Sequence, residues 1–194
     1  SANWSKEINP KFNSGLNLNY RTGKLNIYGN YNNNISKNAN NGHIERAQDL
    51  SEQYFKFFDE RESHIFKVGL DVYINDKNTM SLFTSQNPAD NGTKGATETI
   101  SFSDNISSTE FQNFNANSNN TSTQYNFNYK RDFDKEGSNI ELEVDHNIFE
   151  SDNPVAFTYP PPNDIKNHDD KNQTDRKRTT INLDYVNPLT ENAK

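Results

Sequence analysis

Seven stretches of this chain alternate apolar and polar residues with a period of two, and this restricts the fold more than any other feature. Successive side chains of a β-strand point to opposite sheet faces, so strict alternation marks a strand with two unlike faces. In the first stretch Phe12, Leu16, Leu18 and Tyr20 share a side against Asn13, Gly15, Asn17 and Asn19. Leu25, Ile27, Gly29 and Tyr31 then oppose Lys24, Asn26, Tyr28 and Asn30. The third is the cleanest ladder, with Phe66, Val68, Leu70, Val72 and Ile74 against Lys67, Gly69, Asp71 and Tyr73. A weaker fourth sets Met80, Leu82 and Thr84 against Ser81 and Phe83. Tyr125, Phe127, Tyr129 and Phe133 oppose Gln124, Asn126, Asn128 and Lys130; Ile140, Leu142, Val144 and Ile148 oppose Glu141, Glu143, Asp145 and Asn147. The last pairs Ile181, Leu183 and Tyr185 with Thr180, Asn182 and Asp184.

The connections alternate short and long. Arg21-Thr22-Gly23-Lys24, Asn75-Asp76-Lys77-Asn78 and Asp134-Lys135-Glu136-Gly137 carry the Gly, Asn and Asp that tight hairpin turns require. They predict hairpins over about 12–32, 64–86 and 121–150, with a final strand at 178–186. Polar stretches at about 34–62, 87–120 and 151–178 lie between and read as long loops. Within the first, Ile44 to Arg61 reads either as a short helix or as a continuation of the flanking strands. Its Phe55, Phe57 and Phe58 are expected to pack or to meet a ligand. Short turns at one end and long loops at the other is the organisation of a transmembrane β-barrel, with the turns in the periplasm. Several predicted strands are close to the roughly 9–11 residues that span a tilted bilayer crossing. Tyr20, Tyr31, Phe133 and Tyr185 fall towards strand ends, where interfacial aromatic girdles would sit.

Composition supports order of an unusual kind. Only 30% of the 194 residues are hydrophobic and mean hydropathy is -1.12, against about 45–50% apolar residues in a typical globular domain. A sheet with one apolar face needs no more than this. The net charge of -7, with dispersed Lys and Arg, leaves no basic footprint for nucleic acid. Without cysteine there is neither a disulfide framework nor a thiolate site.

Catalytic signatures are sparse. His43, His64, His146 and His168 are far apart and lack metal-ligand spacing, and phosphate-loop, dinucleotide and nucleophile-elbow patterns are missing. Glu141, Glu143 and Asp145 share one strand face and could serve carboxylate-pair glycoside chemistry, but a hydrated wall explains them as well. Asp164, Asp169 and Asp170, with Asp175 beside them, are the only metal-site candidates, offering hard oxygens to calcium without a recognised loop spacing. Asn91-Gly92-Thr93 and Asn105-Ile106-Ser107 have the glycosylation triplet, which so Asn-rich a chain generates by chance. No catalytic residue and no cofactor is expected. The lumen-facing candidates are Asn17, Asn19, Lys67, Asp71, Asn126, Asn128, Lys130, Glu141, Glu143 and Asp145.

GLNLNYRTGKLNIYGNY, FKVGLDVYINDKNTMSLF, YNFNYKRDFDKEGSNIELEVDHN and TINLDYVNPLTENAK resemble successive hairpins of the outer-membrane β-barrel family of Bacteroidetes, which is TonB-dependent-receptor-like. The resemblance implies an all-β, antiparallel up-and-down wall, and one partial barrel segment over 1–194. It also implies a plug, and a TonB complex acting through parts outside this segment. Asn187-Pro188-Leu189-Thr190 would be the next periplasmic turn. The implied partners are outer-membrane lipid and an extracellular ligand, with self-association through open sheet edges. The competing reading is a soluble extracellular β-sandwich, an adhesin or carbohydrate-binding module.

Overall fold

The computed structural model describes residues 11–48, 50–103, 106–161 and 165–188. They form one antiparallel sheet of seven strands in chain order. The strands are β1 (Lys11–Thr22), β2 (Leu25–Arg46), β3 (Ser51–Asn75), β4 (Asn78–Ser103), β5 (Ile106–Asp132), β6 (Asn139–Thr158) and β7 (His168–Val186). Each expected strand is present, and every strand pairs with its sequence neighbour, so the topology is up-and-down. No second layer covers either face among the described residues, and the sandwich reading fails at that point.

The long polar stretches are a correction. Residues 34–46 and 51–62 belong to β2 and β3, 87–103 and 106–120 to β4 and β5, and 151–158 and 168–178 to β6 and β7. The described residues between Ile44 and Arg61 are strand, turn and strand, not helix. The pairing of β2 with β3 runs unbroken from Leu25↔Val72 to Arg46↔Ser51. Backbone ladders continue here while the banded face turns charged and only scattered rings remain on the other, which erases the regular hydrophobic period on which the loop expectation rested. Side chains reinforce the extensions: Asn40 Nδ2 donates to Asp59 Oδ2 (2.8 Å), Thr93 Oγ1 donates to Asp59 Oδ1 (2.9 Å), and Lys37 donates to Glu60 (2.6 Å). The Lys37 hydrogen bond and charge hold the Glu60 carboxyl below its usual range.

At the opposite end the turns are tight. Gly23 has a φ of +53°, a conformation that L-residues with a Cβ resist. Asn75 Oδ1 accepts from the Lys77 backbone N–H (3.0 Å) and from Asn78 Nδ2 (2.7 Å), closing an Asx turn. Each turn also reaches the next hairpin through a lysine: Lys24 Nζ donates to the Ile74 carbonyl (2.6 Å), Lys77 to Asp134, and Lys135 to Asn187 Oδ1 (3.0 Å). Hydrogen bonding to Lys77 and its charge lower the Asp134 carboxyl. The turns are staggered, because Lys24 O accepts from Tyr73 N and Lys77 O from Asp132 N (both 2.8 Å). Such progressive offset is the shear by which a tilted sheet closes into a barrel.

There is almost no hydrophobic core. Ala89 is the one buried apolar residue among those described, and no large side chain is fully buried. The accessible surface is 14335 Å², whereas a folded globular protein of this mass would expose about 9,400 Å².

The Gly23 turn is directly testable, since a Cβ there meets nothing within 4 Å and only backbone conformation is at stake. Gly23→Ala should destabilise the refolded sheet by about 1–2 kcal/mol, read as a lower urea midpoint at unchanged slope. An unchanged midpoint would contradict the positive-φ turn.

Candidate functional site: a polar face opposite an apolar band

The register assembles the alternating residues into two continuous surfaces. One cross-strand row runs Tyr20↔Ile27, Ile27↔Leu70, Leu70↔Leu82, Leu82↔Phe127, Phe127↔Val144 and Val144↔Ile181. Neighbouring rows on that face carry Leu18, Val68 and Tyr125, then Val72, Met80, Tyr129, Leu142 and Leu183. The band is open to its surroundings, with Leu18, Val68 and Leu183 exposed at 65%, 54% and 66%. On β3 it extends from Phe66 to Ile74, about 26 Å of strand at about 3.3 Å per residue.

Aromatic rings mark its margins. Tyr20, Tyr129 and Tyr185 lie towards the turns, where Phe133 meets Tyr185 edge-on at 6.2 Å. At the other margin Tyr31 packs on Phe66 at 4.9 Å, and its hydroxyl is 2.9 Å from His64 Nδ1. Past this margin the same face becomes charged, with Glu62, Glu60 and Lys56 on β3, Asp90 and Lys94 on β4, and Glu150 and Asp152 on β6. This switch of chemistry part-way along continuous strands was hidden in the sequence, because the polar extensions carry no alternation to follow.

The opposite face collects all ten residues singled out as lumen candidates. Asn17 pairs with Asn30 and Asn30 with Lys67, Asn128 with Glu143, Lys130 with Glu141, and Asn126 with Asp145; Asn19 and Asp71 lie on the same side. They bond to one another in a diagonal ladder: Gln124 Nε2 donates to Asp145 (2.7 Å), Asn126 Nδ2 to Glu143 (3.1 Å) and Asn128 Nδ2 to Glu141 (2.6 Å). Asn26 Nδ2 donates to Asp71, its direct cross-strand partner, at 3.0 Å. Each of these carboxylates is therefore held by a neutral amide, and the three on β6 form a hydrogen-bonded wall. Lys67 stands 3.8 Å from the Phe83 ring centroid and 5.9 Å from that of Tyr28, a cation–π contact on each side. The side-chain oxygens Oδ1 of Asn26, Asn30 and Asn87 on this face are buried without a protein partner.

The metal candidates do not converge. Asp164 lies outside the described residues, and Asp169 and Asp170, adjacent on β7, point to opposite faces. No group of three or more His, Cys, Asp and Glu suited to a metal occurs among the described residues. Of the histidines, His64 and His146 sit on the banded face, beside Tyr31 and Tyr125 respectively. No described helix is long and apolar enough to cross a membrane, a fact silent on barrels that cross with strands.

No family model matches the chain, and no curated protein matches it. Among solved structures it is similar to unliganded ferric citrate transporter FecA, at 11% identity and a TM-score of 0.50 over 93% of this chain and 25% of that one. A weaker likeness, at 9% identity and a TM-score of 0.38, is to the translocator domain of autotransporter NalP from Neisseria meningitidis, covering 93% and 61%. The chain thus spans about a quarter of FecA's length. The fold is all-β and antiparallel up-and-down, the architecture of an outer-membrane-type barrel wall.

Gly69 tests the packing of the polar face. A Cβ at Gly69 would fall within the Tyr28 ring that lies over it. Gly69→Ala should destabilise the sheet, and Tyr28→Ala should relieve much of that cost, with a coupling of about 0.5–3 kcal/mol in a double-mutant cycle. Strict additivity would show that Tyr28 does not cover Gly69.

Proposed function

We propose that this chain is part of the wall of an outer-membrane barrel of the TonB-dependent-receptor type, non-enzymatic and serving ligand uptake. The apolar band faces lipid, the amide and carboxylate ladder faces the lumen, the tight turns lie in the periplasm, and the long paired extensions stand outside the cell. One observation carries this reading. A single face is apolar for about 26 Å of strand, is edged by aromatic rings, and then becomes charged while the pairing of β2 with β3 and of β4 with β5 continues unbroken. A sheet packed in a soluble core would have no reason to change chemistry at that height. Phe66 to Ile74 is nine residues, within the roughly 9–11 that a tilted strand needs to cross a bilayer, and aromatic girdles at both margins are what the two interfaces select.

The resemblance of the hairpins to the Bacteroidetes barrel family adds the type of receptor, a plug and an inner-membrane energy source. The unpartnered Asn26, Asn30 and Asn87 oxygens suit a lumen filled by water or a plug surface. Among the described residues, the outer strands β1 and β7 have unpaired edges. Further strands of the same barrel would satisfy them, and in lipid each unpaired backbone group costs several kcal/mol.

Because the chain has no cysteine, single-cysteine variants report each face cleanly. Val68→Cys and Lys67→Cys, each carrying an environment-sensitive fluorophore after refolding into vesicles, should part company. The probe at 68 should be quenched by lipid-attached nitroxide and that at 67 by aqueous iodide. Iodide quenching of both, or the reverse pattern, would overturn the orientation.

A further inference from the structure

Glycines on the polar face are covered, and the glycine of the apolar band is not. Gly42, Gly69 and Gly95 each have an aromatic ring of a neighbouring strand over them, and Gly15 has the Asn32 amide. Around the place where a Gly29 Cβ would sit, only the Lys67 backbone oxygen comes within 4 Å. Its row runs Leu18↔Gly29 and Gly29↔Val68, so the missing side chain leaves a slot between two exposed aliphatic neighbours. Leu16, Tyr31 and Phe66 form the next row outward and bound the slot on that side. The resulting groove has a volume of about 520 Å³, and Gln86 stands in its wall beside these apolar residues.

Polar groups of one kind close the outer end. Asn33, two residues beyond Tyr31 on the same face, is only 9% exposed, and its Oδ1 is buried without a partner. The donors around it are directed at one another. Tyr31 Oη and Asn33 Nδ2 lie 2.9 and 3.0 Å from His64 Nδ1, and His64 Nε2 lies 3.3 Å from Glu62 Oε1. With the His64 proton on Nε2, Tyr31 and Asn33 donate to the ring and the ring donates to Glu62. The cluster then offers acceptors outward: Asn33 Oδ1, the second Glu62 oxygen and the carboxylate of Asp90, which faces Glu62 from β4. Lys37, further out on this face, is already bonded to Glu60. A buried acceptor without a donor costs stability, and carboxylates beside it favour a donor that carries positive charge.

We propose that the groove is a site for one lipid whose head group carries a primary ammonium. An acyl chain fills the slot over Gly29, and the ammonium donates to Asn33 Oδ1 and the Glu62 carboxylate. Four residues separate Gly29 from Asn33, about 13 Å at about 3.3 Å each, which leaves room for the linkage between chain and head group. The Gln86 amide can donate to oxygens of that linkage. The site rests on the assignment of the apolar band to lipid and goes beyond it, because it makes one place on the band selective. Hydrocarbon covers the rest of the band whatever head group it carries.

The test is native mass spectrometry of the chain refolded in detergent micelles holding equal amounts of phosphatidylethanolamine, phosphatidylcholine and phosphatidylglycerol. The first has a primary ammonium, the second a charged nitrogen without N–H, and the third hydroxyls without positive charge. Phosphatidylethanolamine should be retained about tenfold over either of the others, the worth of a charge-assisted hydrogen bond. Most of that preference should go with Glu62→Gln, at a side chain 53% exposed, and Gly29→Val should remove retention by filling the slot. Asp152→Asn takes the same charge from the same row three strands away and should change nothing. Equal retention of the three lipids, an unchanged preference in Glu62→Gln, or an equal loss with Asp152→Asn would overturn the site. The labels at 67 and 68 keep the two readings apart. Correct quenching without a lipid preference removes the site alone, whereas reversed quenching removes the lipid setting of the band and the site with it.

Discussion

A single-layer sheet has no interior, and everything else about this chain follows from that. Folding normally removes apolar side chains from water by setting one layer of structure against another. Here seven strands pair edge to edge, and neither face meets a second layer among the described residues. The backbone ladder satisfies the peptide groups, but the band of Leu, Ile, Val and aromatic side chains remains uncovered. In water that exposure would leave about 25 cal/mol per Å² of apolar area unclaimed. A hydrocarbon surround removes the difficulty without a second layer, which is why an outer-membrane wall accounts for so polar a sequence.

The opposite face works by another economy. Its amides and carboxylates are neighbours in space because antiparallel pairing sets Asn126, Asn128 and Gln124 beside Glu143, Glu141 and Asp145. Hydrogen bonds between them leave the face wettable while holding its groups in place. Glycines take up the large rings: Tyr28 lies over Gly69, Phe55 over Gly42, and Phe57 with Phe114 over Gly95. A ring covering a glycine on the next strand restores packing that the glycine alone would lack.

Much of this was legible in the sequence, and what was not has a physical reason. Period-two alternation survives wherever the two faces meet different surroundings, so all seven strands and the ten polar-face residues could be read from it. Once both faces meet water the period vanishes, and 34–62, 87–120 and 151–178 took on the look of loops although their backbones pair. The Asn and Thr of those stretches gave no hydrophobic signal to outweigh their turn-forming habit. The groove over Gly29 was out of reach for a different reason. Leu18, Gly29 and Val68 lie on three strands, and only the register sets them side by side. Asp169 and Asp170 failed as a cluster because neighbours in a strand diverge, a fact that a strand assignment at 168–178 would have supplied.

The central claim is that the apolar band needs hydrocarbon to be covered. The most direct measurement is far-ultraviolet circular dichroism of the chain diluted from urea into buffer and into detergent micelles, with light scattering on both samples. A β-spectrum with monodisperse scattering only in micelles is the predicted result. A monodisperse β-protein in plain buffer would contradict the account, because it would mean that the band covers itself.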